Sequence, residues 1–369
     1  MLNEIVFTWV TTAKGGAEQS TIAIGESIAS TIGLKVSVLF LNLGNKSDFK
    51  NYKKANFNFH SLDTPTEYKK NLEKIIKKNS TAIVISNHRA FEIDHEIASK
   101  NGNKIGIVFR GILIEDLSFR TFNAHGVFSH LQPRELNWKK INQFDFIIAN
   151  SITTLNSIKP YSKRDVILLY NLIEKKKLKL INSKTLERKN FLLCARLEKW
   201  KNIEFGILAF LKYQQQQKKN NIVLNIVGDG SEMNSLKDMF KEQVKKGFIT
   251  FHGWKENLSH YYQEHKMLIV TSNYESFGRI ILEANSHGLP ALVPSSGAAQ
   301  ELIFDGLNGL IYEKDNSANF VEKLILYDEM NELAKKRMSE FSKIKSISQF
   351  DSTNIALNFI TQLINNKNE

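Results

Sequence analysis

Short apolar runs alternate with longer segments of helical periodicity along almost the entire chain. In the first half, runs typical of buried strands lie at residues 5–10, 35–41, 82–86, 104–109, 144–149 and 166–170. Segments in which apolar positions follow the spacing of a helix lie at residues 17–31 and 91–100. Strands separated by helices of this length predict a parallel sheet that is covered on both faces.

The alternation stops at a lysine-rich stretch, residues 171–190, and then starts again. Predicted strands of the second half lie at residues 191–195, 223–227, 249–251, 267–271, 291–293 and 309–312. Predicted helices lie at residues 203–215, 231–245 and 279–287. A chain of 369 residues also exceeds what one hydrophobic core usually serves.

We therefore predict two α/β domains joined by one linker. The N-terminal domain covers residues 1–170, the basic linker residues 171–190, and the C-terminal domain residues 191–349. A last helix at residues 350–369 is expected to return and pack on the first domain.

Composition narrows the class of protein further. Hydrophobic residues make up 42% of the chain and charged residues 24%, which excludes a disordered or fibrous chain. No apolar run approaches the length of a membrane span, and no signal peptide is visible. The single cysteine, Cys194, excludes an internal disulfide, and no Cys/His cluster has the spacing of a zinc site. We expect a soluble cytoplasmic protein.

The net charge of +12 is concentrated in the first half of the chain. Residues 1–170 carry a net charge of +7 and residues 171–190 of +5, whereas residues 191–369 are neutral. This asymmetry predicts that the first half meets an anionic partner, such as lipid head groups, a phosphorylated substrate or nucleic acid. A solvated, lysine-rich surface is the alternative.

The densest group of candidate residues lies between residues 271 and 312. A predicted strand ends near Thr271, a loop carries Glu275, and Gly278 precedes a predicted helix that contains Glu283. The first N–H groups of such a helix, together with its dipole, suit a phosphate. Carboxylates near the carboxyl end of a strand lie where open α/β sheets bind ligands, and Glu283 is suited to accept hydrogen bonds from a vicinal diol.

Two further groups also follow predicted strands. Arg196 and Lys201 come directly after the strand at residues 191–195, where two cations can converge on one diphosphate. Gly15 and Gly16 lie between the first strand and the first helix, in a turn that exposes backbone donors. This turn is neither a P-loop nor a dinucleotide-binding G-x-G-x-x-G.

Together these groups resemble the retaining glycosyltransferases of the GT-B fold that are often called family four. The likeness is strongest over residues 191–312. It rests on an RL-x-x-x-K element from Arg196 to Lys201, a V-G-x-G element from Val227 to Gly230, and an E-x(7)-E element formed by Glu275 and Glu283. GGAE at residues 15–18 and a segment near Asn171 carry it into the first half. The resemblance implies two Rossmann-like domains that face each other across a cleft.

The resemblance also implies a role for each matching residue. Arg196 and Lys201 would neutralise the diphosphate of a nucleotide sugar, and Glu275 would hold hydroxyls of the donor sugar. Backbone groups near Phe277 and Gly278 would assist, and Glu283 would take the ribose hydroxyls. Gly15, Gly16 and Gly228 complete the expected donor site, in which Gly15 and Gly16 would close over the phosphates.

The implied reaction is hexosyl transfer with retention at the anomeric carbon and without a metal or other cofactor. This expectation agrees with the lack of a DxD-like carboxylate pair. The departing β-phosphate oxygen can accept the proton of the acceptor, so no side-chain base is required. One departure concerns Arg110, which stands where the family commonly has a histidine. Arg110, His88 and His125 are therefore the candidates on the acceptor side.

Basic and aromatic residues are interleaved between residues 46 and 78, a pattern that suits an anionic membrane surface. The set comprises Lys46, Phe49, Lys50, Tyr52, Lys53, Lys54, Phe57, Phe59, Tyr68, Lys69, Lys70, Lys74, Lys77 and Lys78. With the resemblance, it predicts peripheral association with the inner face of a bacterial membrane and a saccharide, lipid-linked or surface-polysaccharide acceptor, as in capsule or lipopolysaccharide biosynthesis.

Two other functions stay open at this point. A sugar-nucleotide epimerase or a phosphorylase shares the fold, although no motif for a cofactor-bearing lysine is visible. A basic nucleic-acid-binding protein would explain the charge, but no RRM, zinc-finger or helix-turn-helix signature supports it, so we expect no nucleic-acid partner.

Overall fold

The computed structural model describes residues 2–11, 16–44, 49–87, 91–112, 136–173, 188–219 and 221–365. These residues form two compact units. The N-terminal unit contains the described residues of 2–112, 136–173 and 350–365, and the C-terminal unit contains those of 188–349. Both units are α/β, as the alternation of apolar runs and helical segments predicts.

The N-terminal unit is built on an eight-stranded sheet. Its strands are β1 (Glu4–Thr11), β2 (Lys35–Asn42), β3 (Tyr52–Lys54), β4 (Phe57–Leu62), β5 (Ile83–Asn87), β6 (Lys104–Phe109), β7 (Phe146–Ala149) and β8 (Val166–Leu168). They are arranged in the order β3-β4-β2-β1-β5-β6-β7-β8, and only the edge strand β3 runs antiparallel to its neighbour. The chain therefore places β2, β3 and β4 on one side of β1 and then returns to place β5 to β8 on the other side.

Helices cover both faces of this sheet. They are α1 (Gly16–Ile32), α2 (Pro65–Lys77), α3 (Phe91–Lys100), α4 (Trp138–Ile141), α5 (Ile152–Ile158) and α14 (Ser352–Asn365). The last of these packs against α1, where the Ser27 hydroxyl donates to the Ser352 carbonyl at 2.7 Å. The Ile173 N–H donates to the Phe350 carbonyl at 3.0 Å, which joins the last helix to the segment after β8.

The C-terminal unit has a wholly parallel six-stranded sheet. Its strands are β9 (Phe191–Cys194), β10 (Leu224–Val227), β11 (Ile249–Phe251), β12 (Met267–Ile269), β13 (Ala291–Pro294) and β14 (Gly309–Tyr312). The order β11-β10-β9-β12-β13-β14 is that of a doubly wound nucleotide-binding sheet. Its topological switch point lies between β9 and β12, and in such sheets the crevice outside the carboxyl ends at this point binds the ligand.

Among its described residues, the C-terminal unit contains the three predicted helical segments, one of them with a correction, and four further helices that were not predicted. Its helices are α6 (Ile203–Gln217), α7 (Met233–Met239), α8 (Lys241–Lys245), α9 (Ser259–Glu264), α10 (Arg279–Ser286), α11 (Ala299–Leu302), α12 (Ser317–Glu329) and α13 (Glu332–Gln349). The single helix predicted at residues 231–245 is wrong, because the chain breaks into α7 and α8 at Phe240. The backbone turns there, and the Phe240 ring is buried in the hydrophobic core.

The aromatic residues between positions 46 and 78 belong to the core of the N-terminal unit. Phe49, Phe57, Phe59 and Tyr68 are buried, and the Tyr52 ring stacks on Phe59 at a centroid distance of 5.4 Å. The interpretation of these rings as part of a membrane-facing surface is therefore wrong. Burial of these rings removes apolar area from water, and this stabilises the folded state more than exposing the rings at the surface would. The described lysines of this segment are exposed and remain available to an anionic partner.

The ends of the basic linker pack onto the units that they adjoin. Asn171 and Ile173 are buried in the N-terminal unit. Arg188 Nη1 donates to the Gly288 carbonyl at 3.2 Å, and the Asn190 carbonyl accepts from the Lys266 N–H at 2.9 Å. Residues 174–187 lie outside the described residues. No helix among the described residues has both the length and the apolar character that crossing a membrane requires.

Asp94 of α3 makes the stability of the N-terminal unit sensitive to pH. Its buried carboxyl accepts from Thr8 Oγ1 and Tyr68 Oη, each at 2.6 Å, and from Ser86. Burial raises the pKa of Asp94 from 3.8 to about 6, although the three hydrogen bonds oppose this shift. Between these pH values the folded chain binds a proton that the unfolded chain has released, so stability falls as pH rises.

We expect the Asp94→Asn variant to lose this dependence. Between pH 3.5 and pH 7, the free energy of unfolding of the wild type should fall by about 3 kcal/mol relative to the variant, since one pKa unit corresponds to about 1.4 kcal/mol. Chemical denaturation at a series of pH values measures the difference. Parallel profiles for the two chains would show that Asp94 has its ordinary pKa in the folded state.

Candidate nucleotide-sugar site of the C-terminal unit

The sequence-predicted residues of the C-terminal unit lie on the two loops that flank its switch point. Arg196 and Lys201 follow β9, and Glu275, Phe277 and Gly278 follow β12. Because β9 and β12 are adjacent and parallel, their carboxyl ends bring these two loops to one edge of the sheet.

Arg196 and Lys201 are brought together by one indole ring. Lys201 Nζ lies 4.0 Å from the centroid of the Trp200 ring, and the Arg196 guanidinium carbon lies 5.6 Å from it. The Trp200 ring is buried, whereas Arg196 is exposed. Contact with an aromatic face stabilises a cation without neutralising its charge. Both positive charges therefore contact the same ring.

Lys201 and Glu275 form an ion pair that is largely shielded from water. Lys201 Nζ donates to Glu275 Oε2 at 2.7 Å, and the two side chains are only 12% and 14% exposed. Burial lowers the pKa of Lys201, while Glu275 raises it and the nearby Arg196 lowers it further. Glu275 is therefore not a solvated surface carboxylate.

Hydrogen bonds of backbone and side-chain groups hold the two loops in contact. The Asn273 N–H donates to the Trp200 carbonyl at 3.1 Å, and Thr271 Oγ1 donates to the Lys201 carbonyl at 2.7 Å. Asn202, which ends the short 3-10 turn Lys199–Lys201, donates to Asn273 Oδ1 at 3.1 Å. These bonds fix where Lys201 meets the second loop, so the ion pair is part of the scaffold.

The second loop leads into α10, whose first turn faces the same edge. Gly278 forms the N-cap of this helix, and Phe277 beside it is buried. Glu283 lies one turn further along, where Arg279 Nη2 contacts its Oε1 at 2.8 Å. The buried Tyr262 hydroxyl donates to Glu283 Oε2 at 3.2 Å. Glu283 is thus held from two sides, and its carboxylate retains the capacity to accept further hydrogen bonds.

The V-G-x-G element supports the loop that carries Arg196. The Ala195 N–H donates to the Val227 carbonyl at 3.1 Å, and the Leu197 N–H donates to the Asp229 carbonyl at 2.9 Å. Gly228 lies between these two contacts, directly against the backbone of Ala195. This contact indicates that Gly228 supports the loop that carries Arg196.

Gly297 of the next loop packs directly on Glu275. The Ala298 N–H donates to the Glu275 carbonyl at 2.7 Å, and Gly297 has a φ of +62°. A Cβ at position 297 would lie 2.7 Å from the carbonyl oxygen and 2.8 Å from the nitrogen of Glu275. Both are backbone atoms, so relief of the clash requires Glu275 to move.

The resemblance assigns Glu275 to the donor sugar, and small displacements of a group that acts on the substrate are costly, so we expect Gly297→Ala to lower turnover by roughly tenfold or more. The matched control is Gly306→Ala, where φ is +80° and nothing lies within 4 Å of the added Cβ. Both variants carry the same backbone strain, of about 1–2 kcal/mol. Steady-state rates and melting temperatures of the two variants distinguish the effect of backbone strain from the effect of moving Glu275. Equal rates for the two variants would contradict the prediction.

In the N-terminal unit, the described acceptor-side candidate is Arg110, directly after β6. Its guanidinium donates to Asn171 Oδ1 at 3.0 Å and to Thr21 Oγ1 at 3.1 Å, and lies 5.2 Å from the Trp9 ring centroid. The Trp9 ring in turn donates to Glu18 Oε1 at 3.1 Å. Trp9 lies near the carboxyl end of β1, Arg110 directly follows β6, and Glu18 and Thr21 lie in the first turns of α1.

Gly16 is the first residue of α1 and is exposed. Three predicted site residues, Gly15, His88 and His125, lie outside the described residues. Among the residues that the structure does describe, no group of three His, Cys, Asp or Glu side chains is placed to hold a metal ion.

Three residues that position the site were not singled out from the sequence. Trp200 lies between Arg196 and Lys201 in the sequence, so the sequence could have indicated its place beside the two cations. The sequence carries no such indication for Asn273 and Tyr262, because each acts through a contact with a residue that is distant in the sequence. Asn273 contacts Asn202, and Tyr262 contacts Glu283.

Known proteins resemble this chain in sequence. Residues 174–343 match the family described as "Glycosyl transferases group 1". An uncharacterized 41.2 kDa protein in the cps region of Klebsiella pneumoniae is 27% identical over 257 residues, which cover 64% of this chain and 69% of that protein. The N-acetyl-alpha-D-glucosaminyl L-malate synthase of Bacillus anthracis is 24% identical over 232 residues, or 58% of this chain and 60% of that protein.

Solved structures share the fold over almost the entire length. Sucrose-phosphate synthase from Thermosynechococcus elongatus has a TM-score of 0.79 at 15% identity, with 98% of each chain covered. Anabaena Alr3699/HepE in complex with UDP-glucose has a TM-score of 0.73 at 16% identity, with 98% of this chain and 99% of that chain covered. The GT-B fold of two Rossmann-like units is thereby confirmed.

Proposed function

We propose that this chain, which belongs to the group 1 glycosyl transferases through residues 174–343, transfers a sugar from a nucleotide-diphosphate sugar to an acceptor with retention at the anomeric carbon. The observation that carries the proposal is the pair of cations on Trp200, joined to Glu275 at the switch point of the C-terminal sheet. Alr3699/HepE, which shares the fold, has been crystallised with UDP and glucose and with UDP-glucose, so UDP-sugars are the first donors to test.

Arg196 and Lys201 would bind the diphosphate of the donor. Arg196 offers a planar fork of N–H donors and Lys201 a point charge, which together suit the oxygens of two linked phosphates. As the bond between the sugar and the β-phosphate breaks, negative charge grows on the leaving group. Charges that are already in position stabilise it without reorganisation, and the first turn of α10 adds its dipole.

Glu275 and Glu283 would contact the two ends of the donor. Lys201 donates to the Glu275 carboxylate and the Ala298 N–H donates to the Glu275 backbone carbonyl, so the side chain and the backbone of Glu275 are both fixed before the donor binds. We assign it to the hydroxyls of the transferred sugar. Glu283, which is oriented by Arg279 and Tyr262, is assigned to the ribose hydroxyls.

No divalent metal is needed in this proposal. Two cations and a helix N-terminus supply the charge that a metal would otherwise bring to the diphosphate. The acceptor is proposed to be a saccharide, carried on a lipid or on a growing surface polysaccharide, and the lysines of the N-terminal unit would hold the enzyme at an anionic membrane. The cps-region relative in Klebsiella supports a role in surface-polysaccharide synthesis.

The experiment is a thermal-shift screen of the full chain against UDP-, GDP-, ADP- and CMP-sugars. Donors that stabilise the chain are then assayed for nucleotide release with and without saccharide acceptors, in the presence of EDTA. The anomeric configuration of the product, measured by NMR, decides between retention and inversion.

Three outcomes would contradict the proposal. An epimerase would convert the donor sugar without releasing nucleotide, and a phosphorylase would require inorganic phosphate. A nucleic-acid-binding protein would ignore all donors and bind polynucleotide with steep salt dependence. Activity that disappears with EDTA would overturn metal independence alone.

A further inference from the structure

A cationic recess lies in the N-terminal unit, between helix α2 and the sheet. It has a volume of about 220 Å³ and is lined by Lys35, His60, Asn71, Lys74, Ile75 and Lys78. This volume corresponds to about seven water molecules. None of these six residues carries a carboxylate, and three carry an ammonium group.

The packing of α2 explains why the lysines surround this space. Tyr68, Leu72 and Ile76 lie on one face of the helix and are buried. The rest of the helix surface therefore faces water, where Lys74 and Lys78 are exposed. Residues three and four apart lie on one side of a helix, so Asn71, Lys74 and Lys78 line the recess together.

The charges of Lys74 and Lys78 are not neutralised by any residue that the structure describes, whereas their neighbour Lys77 pairs with Glu73 at 3.1 Å. Lys35 Nζ contacts the buried Glu4 at 2.9 Å, which holds it at its place in the recess. Glu4 offsets the charge of Lys35, so the net positive charge of the recess comes from Lys74 and Lys78, and a phosphate group fits that charge.

His60 completes the recess from strand β4. It is half-buried, and burial lowers its pKa. A neutral imidazole can donate one hydrogen bond, and a bound anion would favour its charged form and reverse the shift. A rise in the pKa of His60 would therefore show that an anion occupies the recess.

The recess is remote from the carboxyl ends of the strands. Lys35 is the first residue of β2, and Lys78 follows the last residue of α2, so both lie towards the amino ends of the parallel strands. Arg110 and Glu18 lie at the opposite ends. We propose that this recess is a second, non-catalytic anion site that binds the phosphate group of a phosphorylated ligand, either a free phosphate compound or a phospholipid head group. The inference does not depend on the proposed sugar transfer.

The test uses the full chain with Arg196→Ala and Lys201→Ala, which removes the phosphate contacts of the proposed donor site. Calorimetric titration with inorganic pyrophosphate at low salt should show one remaining site. Adding Lys74→Ala and Lys78→Ala should weaken that site at least tenfold. The matched control adds Lys69→Ala and Lys70→Ala, two exposed lysines of the same helix that do not line the recess.

Two further measurements identify the source of the phosphate. In NMR titrations, pyrophosphate should raise the pKa of His60 in the wild type and leave it unchanged in the Lys74/Lys78 variant. Co-sedimentation with phosphatidylcholine vesicles, with and without phosphatidic acid, tests the lipid arm. Vesicle binding that depends on Lys74 and Lys78 more than on Lys69 and Lys70 would identify a lipid head group.

Loss of pyrophosphate binding with no effect on vesicles would identify a soluble phosphate compound. The proposal is overturned if the two double variants behave alike in both assays, because the effect would then be one of overall charge. It is also overturned if neither pyrophosphate nor phosphatidic acid binds, or if His60 does not respond to a bound anion.

Discussion

Lys201→Ala should reduce turnover by about a hundredfold or more and should also weaken nucleotide binding. The variant removes one of the two cations that we propose bind the diphosphate, and it leaves Glu275 as a shielded carboxylate without the partner that lies 2.7 Å away. Loss of one charged donor to a developing anion typically costs two to three powers of ten in rate. Loss of one member of a buried ion pair adds a stability cost of about 3–5 kcal/mol.

The matched control is Lys199→Ala in the same 3-10 turn. Lys199 is exposed and lies two residues away, so its removal changes the net charge equally. Initial rates, isothermal titration with the nucleoside diphosphate and thermal melting should be measured on both chains. If Lys199→Ala impairs the enzyme as much as Lys201→Ala, the effect is one of general charge and the assignment is wrong.

Glu275→Gln separates the two ends of the donor within the same experiment. Glutamine keeps the size of the side chain but removes the charge, so turnover should fall more than nucleotide affinity. This split follows if Glu275 contacts the transferred sugar and Lys201 the diphosphate. An unchanged rate in this variant would remove Glu275 from the mechanism.

Gly228→Ala should destabilise the C-terminal unit by more than about 4 kcal/mol, a loss that is exceptional for a single substitution. Gly228 has a φ of +141°, and an added Cβ would lie 1.8 Å from the Ala195 carbonyl oxygen. The obstacle is backbone, which cannot rotate away as a side chain does. Relief would require β9 and β10 to separate at the ends that carry the proposed donor site.

Gly247→Ala is the control for this substitution. Gly247 also has a positive φ, +75°, but nothing lies within 4 Å of its added Cβ. That variant should lose only the 1–2 kcal/mol or so that a left-handed conformation costs an L-residue. Melting temperatures and soluble yields of the two variants give the comparison. Equal losses would show that strain, and not the contact with Ala195, sets the cost at Gly228.

Much of the architecture was predictable because it depends on local patterns. Apolar runs predicted most strands within one or two residues, including Lys104–Phe109 of β6, and helical periodicity predicted helix α3 at Phe91–Lys100. The packing of the segment at residues 46–78 was not predictable in this way. Interleaved lysines and aromatic residues occur both on membrane-binding surfaces and in amphipathic strands at the edge of a sheet. Only packing shows that Phe57 and Phe59 point into the core.

The candidate site divides in the same way. Motif spacing was enough to single out Arg196, Lys201, Glu275 and Glu283, because strand ends and helix starts leave local signatures. Which of these side chains meet was decided by the sheet. β9 and β12 become neighbours although 72 residues separate Cys194 from Met267, and that adjacency creates the Lys201–Glu275 pair and the contact of Asn273 with Asn202. Pairing between strands far apart in the chain depends on how the entire sheet buries its apolar faces, and no short stretch of residues encodes it.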